Sequence, residues 1–415
     1  MSSWISTSGT IPRLSTTSAT AAASWAMPTR NRPYGTMATR CLRSDPSAAT
    51  TTTRTTTARR RSTSKPAPTT TTTNPRAAER MRGWTLILLA VASCGDKGTD
   101  PGRTSGPTPF VLNTPAGFPP PEIPPDNALT HEGIELGRRL FSDPILSADS
   151  TVACATCHLP SQAFSDPRPF SRGVDGLTGR NSMPIFNVLW RPALFWDGRA
   201  PSLEEQALAP VRDPVEMGEN WPHIATKLQR HPDYPHLFAR AFGPNQAIDS
   251  TLVVQAIAQF ERSLISADSK YDRWLAGTAD FTPEEERGFL LFHTEQGDCF
   301  HCHGAPLFTD NQFHNNGLDL DPQDPGLAAL TQGRLDRGKF ITPTLRNIEY
   351  TAPYMHDGRF PTLEEVIDHY DSGFHRTRLT DPILLIRPNL DLSREEKRAL
   401  IAFLKTLSDP HFEPR

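Results

Sequence analysis

The sequence predicts a mainly α protein of two related halves joined by long irregular loops, on three observations. Helix start signals recur from residue 202 onward. A nine-residue segment, Asp197 to Glu205, returns as Asp357 to Glu365. A Cys-x-x-Cys-His pentapeptide stands once in each half, at Cys154 to His158 and at Cys299 to His303. The halves are expected to occupy 115–274 and 275–415.

The helices are marked by capping boxes, in which a Ser or Thr caps the first turn and a Glu three residues on returns to the cap. They occur at Ser202 with Glu205, Thr282 with Glu285, Thr362 with Glu365 and Ser393 with Glu396; Pro283 fills the first helical position after Thr282. Apolar residues at helical spacing follow each box. In the last helix they are Leu400, Ile401, Phe403, Leu404 and Leu407, a core-facing stripe. The stretches 167–184 and 309–343 are rich in Pro and Gly and read as loops.

The duplication is longer than the pentapeptides. Gly137-Arg-Arg-Leu-Phe141 precedes the first and Gly288-Phe-Leu-Leu-Phe292 the second, and the later pair of segments is related by a shift of 160 positions.

Ahead of residue 115 the chain reads differently. Residues 1–80 are dominated by Thr, Ser, Ala and Arg without apolar periodicity, so they are expected to be either a disordered extension or sequence upstream of the true start. Met81 then opens a secretory-signal layout over 81–94: Arg82, the apolar run Trp84 to Ala92, too short to span a bilayer, and Val91-Ala92-Ser93-Cys94, which resembles a lipobox. Residues 95–114 read as a linker. The expected mature protein begins at a lipid-modified Cys94 in the bacterial periplasm or cell envelope and touches the membrane only through that anchor. A net charge of −3, with a basic leader inside it, gives no support to a nucleic-acid partner.

Of six cysteines, Cys41 lies in the leader and Cys94 in the lipobox; the other four form the two pentapeptides. Cys-x-x-Cys-His is the attachment pattern of c-type haem, in which two thiols add to the vinyl groups and the adjacent His coordinates iron. Disulfides or a zinc site would not require a His directly after the second Cys twice. Each half is therefore expected to be a cytochrome-c-like haem domain, with Cys154, Cys157 and His158 holding one haem c and Cys299, Cys302 and His303 the other.

The two haems should differ on their distal sides. At the 160-residue shift Tyr370 aligns with Pro210, which has no donor atom. Tyr370 can ligate the second iron while the first stays open, and axial ligation largely decides what a haem does. Met355 and His369 are rival ligands for the second haem. Tyr370 also reads simply as a half-buried tyrosine on an amphipathic helix.

From about Pro115 to Pro410 the chain resembles the bacterial di-haem cytochrome c peroxidases and their relative MauG, a maturation enzyme. The resemblance is carried by Leu136-Gly137-Arg-Arg-Leu-Phe141, both haem motifs, Phe195-Trp196-Asp-Gly-Arg-Ala200, Gln206 with Pro210 and Glu216, Pro343-Thr-Leu-Arg-Asn347, and Ala352-Pro353-Tyr-Met-His-Asp-Gly358. It implies that Trp196 relays electrons or holes between the haems, that Glu216 and Gln206 stand over the peroxide-binding iron, and that Asn181, Thr351 and Pro353 hold a calcium ion. Tyr370 falls where the peroxidases carry Met and MauG carries Tyr. Many members close the first haem with a distal His; this chain has none between His158 and His223, so its first haem is expected to be open without activation, with Met183 in the same loop as the one remaining candidate.

The expected function is peroxide reduction at the first haem. Glu216 moves a proton between the peroxide oxygens, and electrons come from a periplasmic donor, a small cytochrome c or cupredoxin, or from a residue of a partner protein. The resemblance admits a homodimer. The competing reading is a non-catalytic di-haem electron-transfer cytochrome.

Overall fold

The computed structural model describes residues 106–415. The leader, the signal and lipobox residues through Cys94, and the start of the linker lie outside the described residues. From Thr108 onward the linker is docked: Thr108 N and Oγ1 donate to Glu132 at 2.7 and 3.0 Å, and Phe110 N donates to Leu129 O at 2.9 Å.

The expected helices form, and each half is built on one crossing pair. In the first, His131–Ser142 crosses Ser250–Arg262; in the second, Pro283–Phe292 crosses Arg394–Lys405. Both crossings are closed to a side chain at one glycine. A Cβ on Gly137 would lie 1.9 Å from Ala256 O, and one on Gly288 the same distance from Ala399 O. The repeated glycine of the sequence is thus the contact point of the repeated helix pair. Gly288→Ala is expected to push the helices apart and destabilise by about 1–3 kcal/mol, read as a lowered urea midpoint, and Gly137→Ala likewise.

Capping follows the sequence closely. Thr282, Thr362 and Ser393 form reciprocal boxes with their glutamates, whereas Ser202 accepts from Glu205 N without the return bond. Other helices, Trp221–Arg230 and Tyr234–Phe242, complete the first core around Phe141, Ile224, Leu228 and Phe238; the second core gathers Phe292, Phe308, Phe403 and Leu407. Strand is confined among the described residues to two tiny antiparallel ladders, Arg172–Gly173 with Gly176–Leu177 and Phe313–His314 with Phe340–Ile341.

The loops repeat as faithfully as the helices. Asn187 and Asn347, 160 positions apart, both take a left-handed turn (φ 55°) before a short 3₁₀ helix, and each ties its loop to the segment just after the second helix of its half's crossing pair. Asn187 N donates to Leu264 O at 2.8 Å and Asn347 N to Leu407 O at 3.0 Å. Phe195 and Met355 repeat a positive φ of 65° and 74°. One of the bonds between the halves is made twice with the roles exchanged: Asn181 N donates to His356 O at 2.8 Å, and Ile341 N to Trp196 O at 2.9 Å. Ile341 is the repeat of Asn181, and His356 the repeat of Trp196, so the seam has a local twofold character.

Candidate active site

The second half encloses a cavity of about 230 Å³ whose walls include Cys299, Cys302, His303, Met355 and Tyr370 among largely apolar side chains. His303 Nδ1 lies 3.0 Å from Phe308 O, the second-sphere bond that fixes the tautomer of a ligating imidazole and leaves Nε2 free. Burial lowers the pKa of both His303 and His158, which favours the neutral form that binds iron. The four motif cysteines are unpaired with one another, and burial pushes all four thiols up, Cys299 and Cys302 to about 12. Free thiols flanking a neutral buried imidazole, beside an apolar cavity in the second half, fit two covalently held haems.

Two of the three candidate ligands reach the second cavity. Tyr370 Oη and Met355 Sδ both receive the Asn316 side-chain amide, at 3.2 and 3.4 Å. His369 turns away, its Nε2 on Asn316 O at 3.0 Å. The helix Leu363–Asp368 loosens at this point into a π turn over His369–Gly373. Such widened turns are common at functional sites, and this one re-aims Tyr370. Burial pushes the phenol up to about 12, opposed by the Asn316 bond; a bound cation would supply what removes that proton.

In the first half the corresponding position is Pro210, whose side chain has no donor atom. Gln206 and Pro210 stand one turn apart on the face of Leu203–Arg212. The following segment folds back, with Met217 N donating to Pro210 O at 3.2 Å and Glu219 N to Val211 O at 2.8 Å, so that Glu216 arrives beside Pro210. It is fixed from the other side by the small ladder: Val174 N donates to Glu216 O at 2.9 Å, and a Cβ on Gly173 would strike Val215 O at 1.9 Å. Burial raises the Glu216 pKa, Asp213 adds to the rise and Arg199 opposes it. The structure therefore gathers Gln206, Pro210 and Glu216 as the spacing suggested. Met183 is not a distal donor: its Sδ faces Arg191 at 3.6 Å from both guanidinium nitrogens, and its carbonyl lies beside the His158 ring.

Trp196 is buried at the seam. Its indole N–H donates to Asn181 O at 2.8 Å, and its ring meets Phe340 and His356 edge-on at 6.4 and 6.5 Å. Phe340 in turn stacks on His356 at 3.8 Å. Trp196 belongs to the first half and lines the cavity of the second. Arg180 clamps the same seam by ion pairs of 2.7 Å to Asp197 and to Asp324. Asn181, Thr351 and Pro353 also line the second cavity. Asn181 uses its Nδ2 on Arg168 O at 3.0 Å, which leaves Oδ1 available to a hard cation.

Asn316, Phe340 and His356 were not assigned roles from sequence. His356 sits inside the quoted Tyr-Met-His-Asp-Gly run, and its alignment with Trp196 at the 160-residue shift was the available signal.

The profile of the di-haem cytochrome c peroxidases matches residues 131–280. The methylamine utilization protein MauG of Methylorubrum extorquens is 36% identical over 342 residues, covering 78% of this chain and 93% of its own. The cytochrome-c peroxidase IdrP1 of Pseudomonas sp. strain SCT is 36% identical over 327 residues, covering 71% and 85%. Among solved structures, a MauG-like protein associated with microbial copper homeostasis superposes with a TM-score of 0.69 at 37% identity, over 74% of this chain and 99% of that one.

Proposed function

The chain belongs to the di-haem cytochrome c peroxidase family, and on that premise we propose a division of labour between its two sites: peroxide is reduced in the first half, and electrons are handled in the second. It is a peroxide-dependent oxidoreductase carrying two haem c groups, supplied with electrons by a donor or a partner protein. When bound, the haem irons supply the redox chemistry; the chain supplies the rest. The observation that carries the proposal is the contrast at one repeat position, Pro210 beside an acid in the first half and Tyr370 in the second.

Glu216, with its carboxyl held partly out of water, takes the proton from one peroxide oxygen and returns it to the other. Gln206 on the adjoining face orients the bound peroxide as a hydrogen-bond donor. Pro210 offers no donor atom and keeps that face open. Trp196 places an aromatic ring on the seam as a relay. Tyr370, held by Asn316, would ligate the second iron in the MauG manner, with Met355 as the alternative. Asn181, Thr351 and Pro353 would hold a calcium ion beside the same seam. The Val91-Ala92-Ser93-Cys94 run supports export to the periplasm and lipid anchoring at Cys94. Among the described residues no helix is long and apolar enough to cross a membrane.

Cyanide added to the oxidised holoprotein is expected to perturb the spectrum of one haem and leave the other unchanged. Refusal by both would return the reading of a plain electron carrier.

A further inference from the structure

Among the described residues Arg191 is a cation without an anion. Its Nη1 and Nη2 face only the Met183 thioether at 3.6 Å, a weak acceptor, and its Nε is sealed from solvent with no partner. Burial alone depresses its pKa, to about 10. A half-buried guanidinium whose Nε is cut off from water is costly unless an anion joins it.

Space for one exists. A cavity of about 20 Å³ opens beside Arg191, walled by Met183, Trp190, Leu307 and Asn311, with no acidic side chain in its lining. That volume takes one water-sized group, about one oxygen of a carboxylate, and is too little for a substrate. Asn311 Oδ1 is also buried without a partner. Its amide makes only a long 3.4 Å bond to Trp190 O, so the end group can turn its NH₂ toward an incoming oxygen. Pro184, Pro343 and Thr344 are walls of both this cavity and the large one beside His303. The small cavity thus adjoins the large one across these three residues.

We propose that Arg191, assisted by Asn311, anchors a propionate carboxylate of the second haem through a two-pronged charge-assisted hydrogen bond. This rests on the di-haem reading. The residue acts by position: it fixes the haem's rotation in its cavity, and its charge favours the reduced iron, which carries one positive charge fewer.

The test is potentiometry and a crystal structure of the holoprotein, alongside Arg191→Gln and Arg191→Lys. A propionate oxygen within hydrogen-bond distance of the guanidinium is expected, with the second-haem potential shifted to lower values in Arg191→Gln and a smaller shift in Arg191→Lys. Water or chloride on Arg191 would overturn the proposal, as would a first-haem propionate there or an unchanged second-haem potential in a fully loaded Arg191→Gln. If Arg191→Gln does not load, the holoprotein structure and Arg191→Lys decide. Failure of the di-haem reading would show separately, as fewer than two haems in the wild type.

Discussion

Glu216→Gln slows peroxide turnover by about 100-fold or more while peroxide still binds. The substitution keeps size and removes the titrating group, so it separates proton movement from filling of the pocket. The wild-type pH profile carries the same signature. Glu216 must be a carboxylate to accept the first proton, so activity is present above its pKa and is lost as pH falls through it. Burial and Asp213 place that fall above the ordinary 4.5. Steady-state rates with a reduced small cytochrome c, measured from pH 4 to 8, are expected to show the acid limb in the wild type and to lose it in Glu216→Gln. Turnover of the variant within a few-fold of wild type would remove Glu216 from the mechanism.

Tyr370→Met raises the potential of the second haem, and Tyr370→Phe changes its ligand spectrum. A phenolate is an anionic, hard oxygen donor that favours oxidised iron, whereas a thioether favours the reduced form. With Tyr370 in place the fully oxidised protein should react with one equivalent of peroxide without prior reduction, and should lose that ability in Tyr370→Met with haem loading unchanged. Stopped-flow spectroscopy of the two proteins side by side checks both statements. The neighbour matters here, since Met355 Sδ shares the Asn316 amide with Tyr370 Oη. If wild type is inert until half-reduced, or Tyr370→Phe has an unaltered spectrum, Met355 is the ligand.

What the sequence made legible was local or repeated. Capping boxes act within four residues, and all four predicted helices begin where Ser202, Thr282, Thr362 and Ser393 place them. The haem pentapeptides are contiguous, and the 160-residue shift aligned Pro210 with Tyr370 without knowledge of where either lies. What stayed hidden depends on segments distant in the chain. The π turn at His369–Gly373 has no composition of its own. Asn316 earned no attention because its partners, Met355 and Tyr370, lie 39 and 54 residues away. Met183 could not be set aside as a ligand from its loop alone, and only the fold shows its sulfur turned to Arg191.

The exchanged bonds at the seam, Asn181 to His356 and Ile341 to Trp196, have the form of an interface between two identical subunits, one patch bonding its own copy. In a true dimer each change on one side is imposed on the other. Here both copies lie on one chain, and each can be altered alone. Position 196 has become an indole and position 356 an imidazole, now in edge contact; position 210 is a proline and position 370 a phenol. Linkage in a single polypeptide is what allows a symmetric assembly to carry a position without a side-chain donor and a position with a phenol in the same molecule, a pairing that two equal subunits cannot encode.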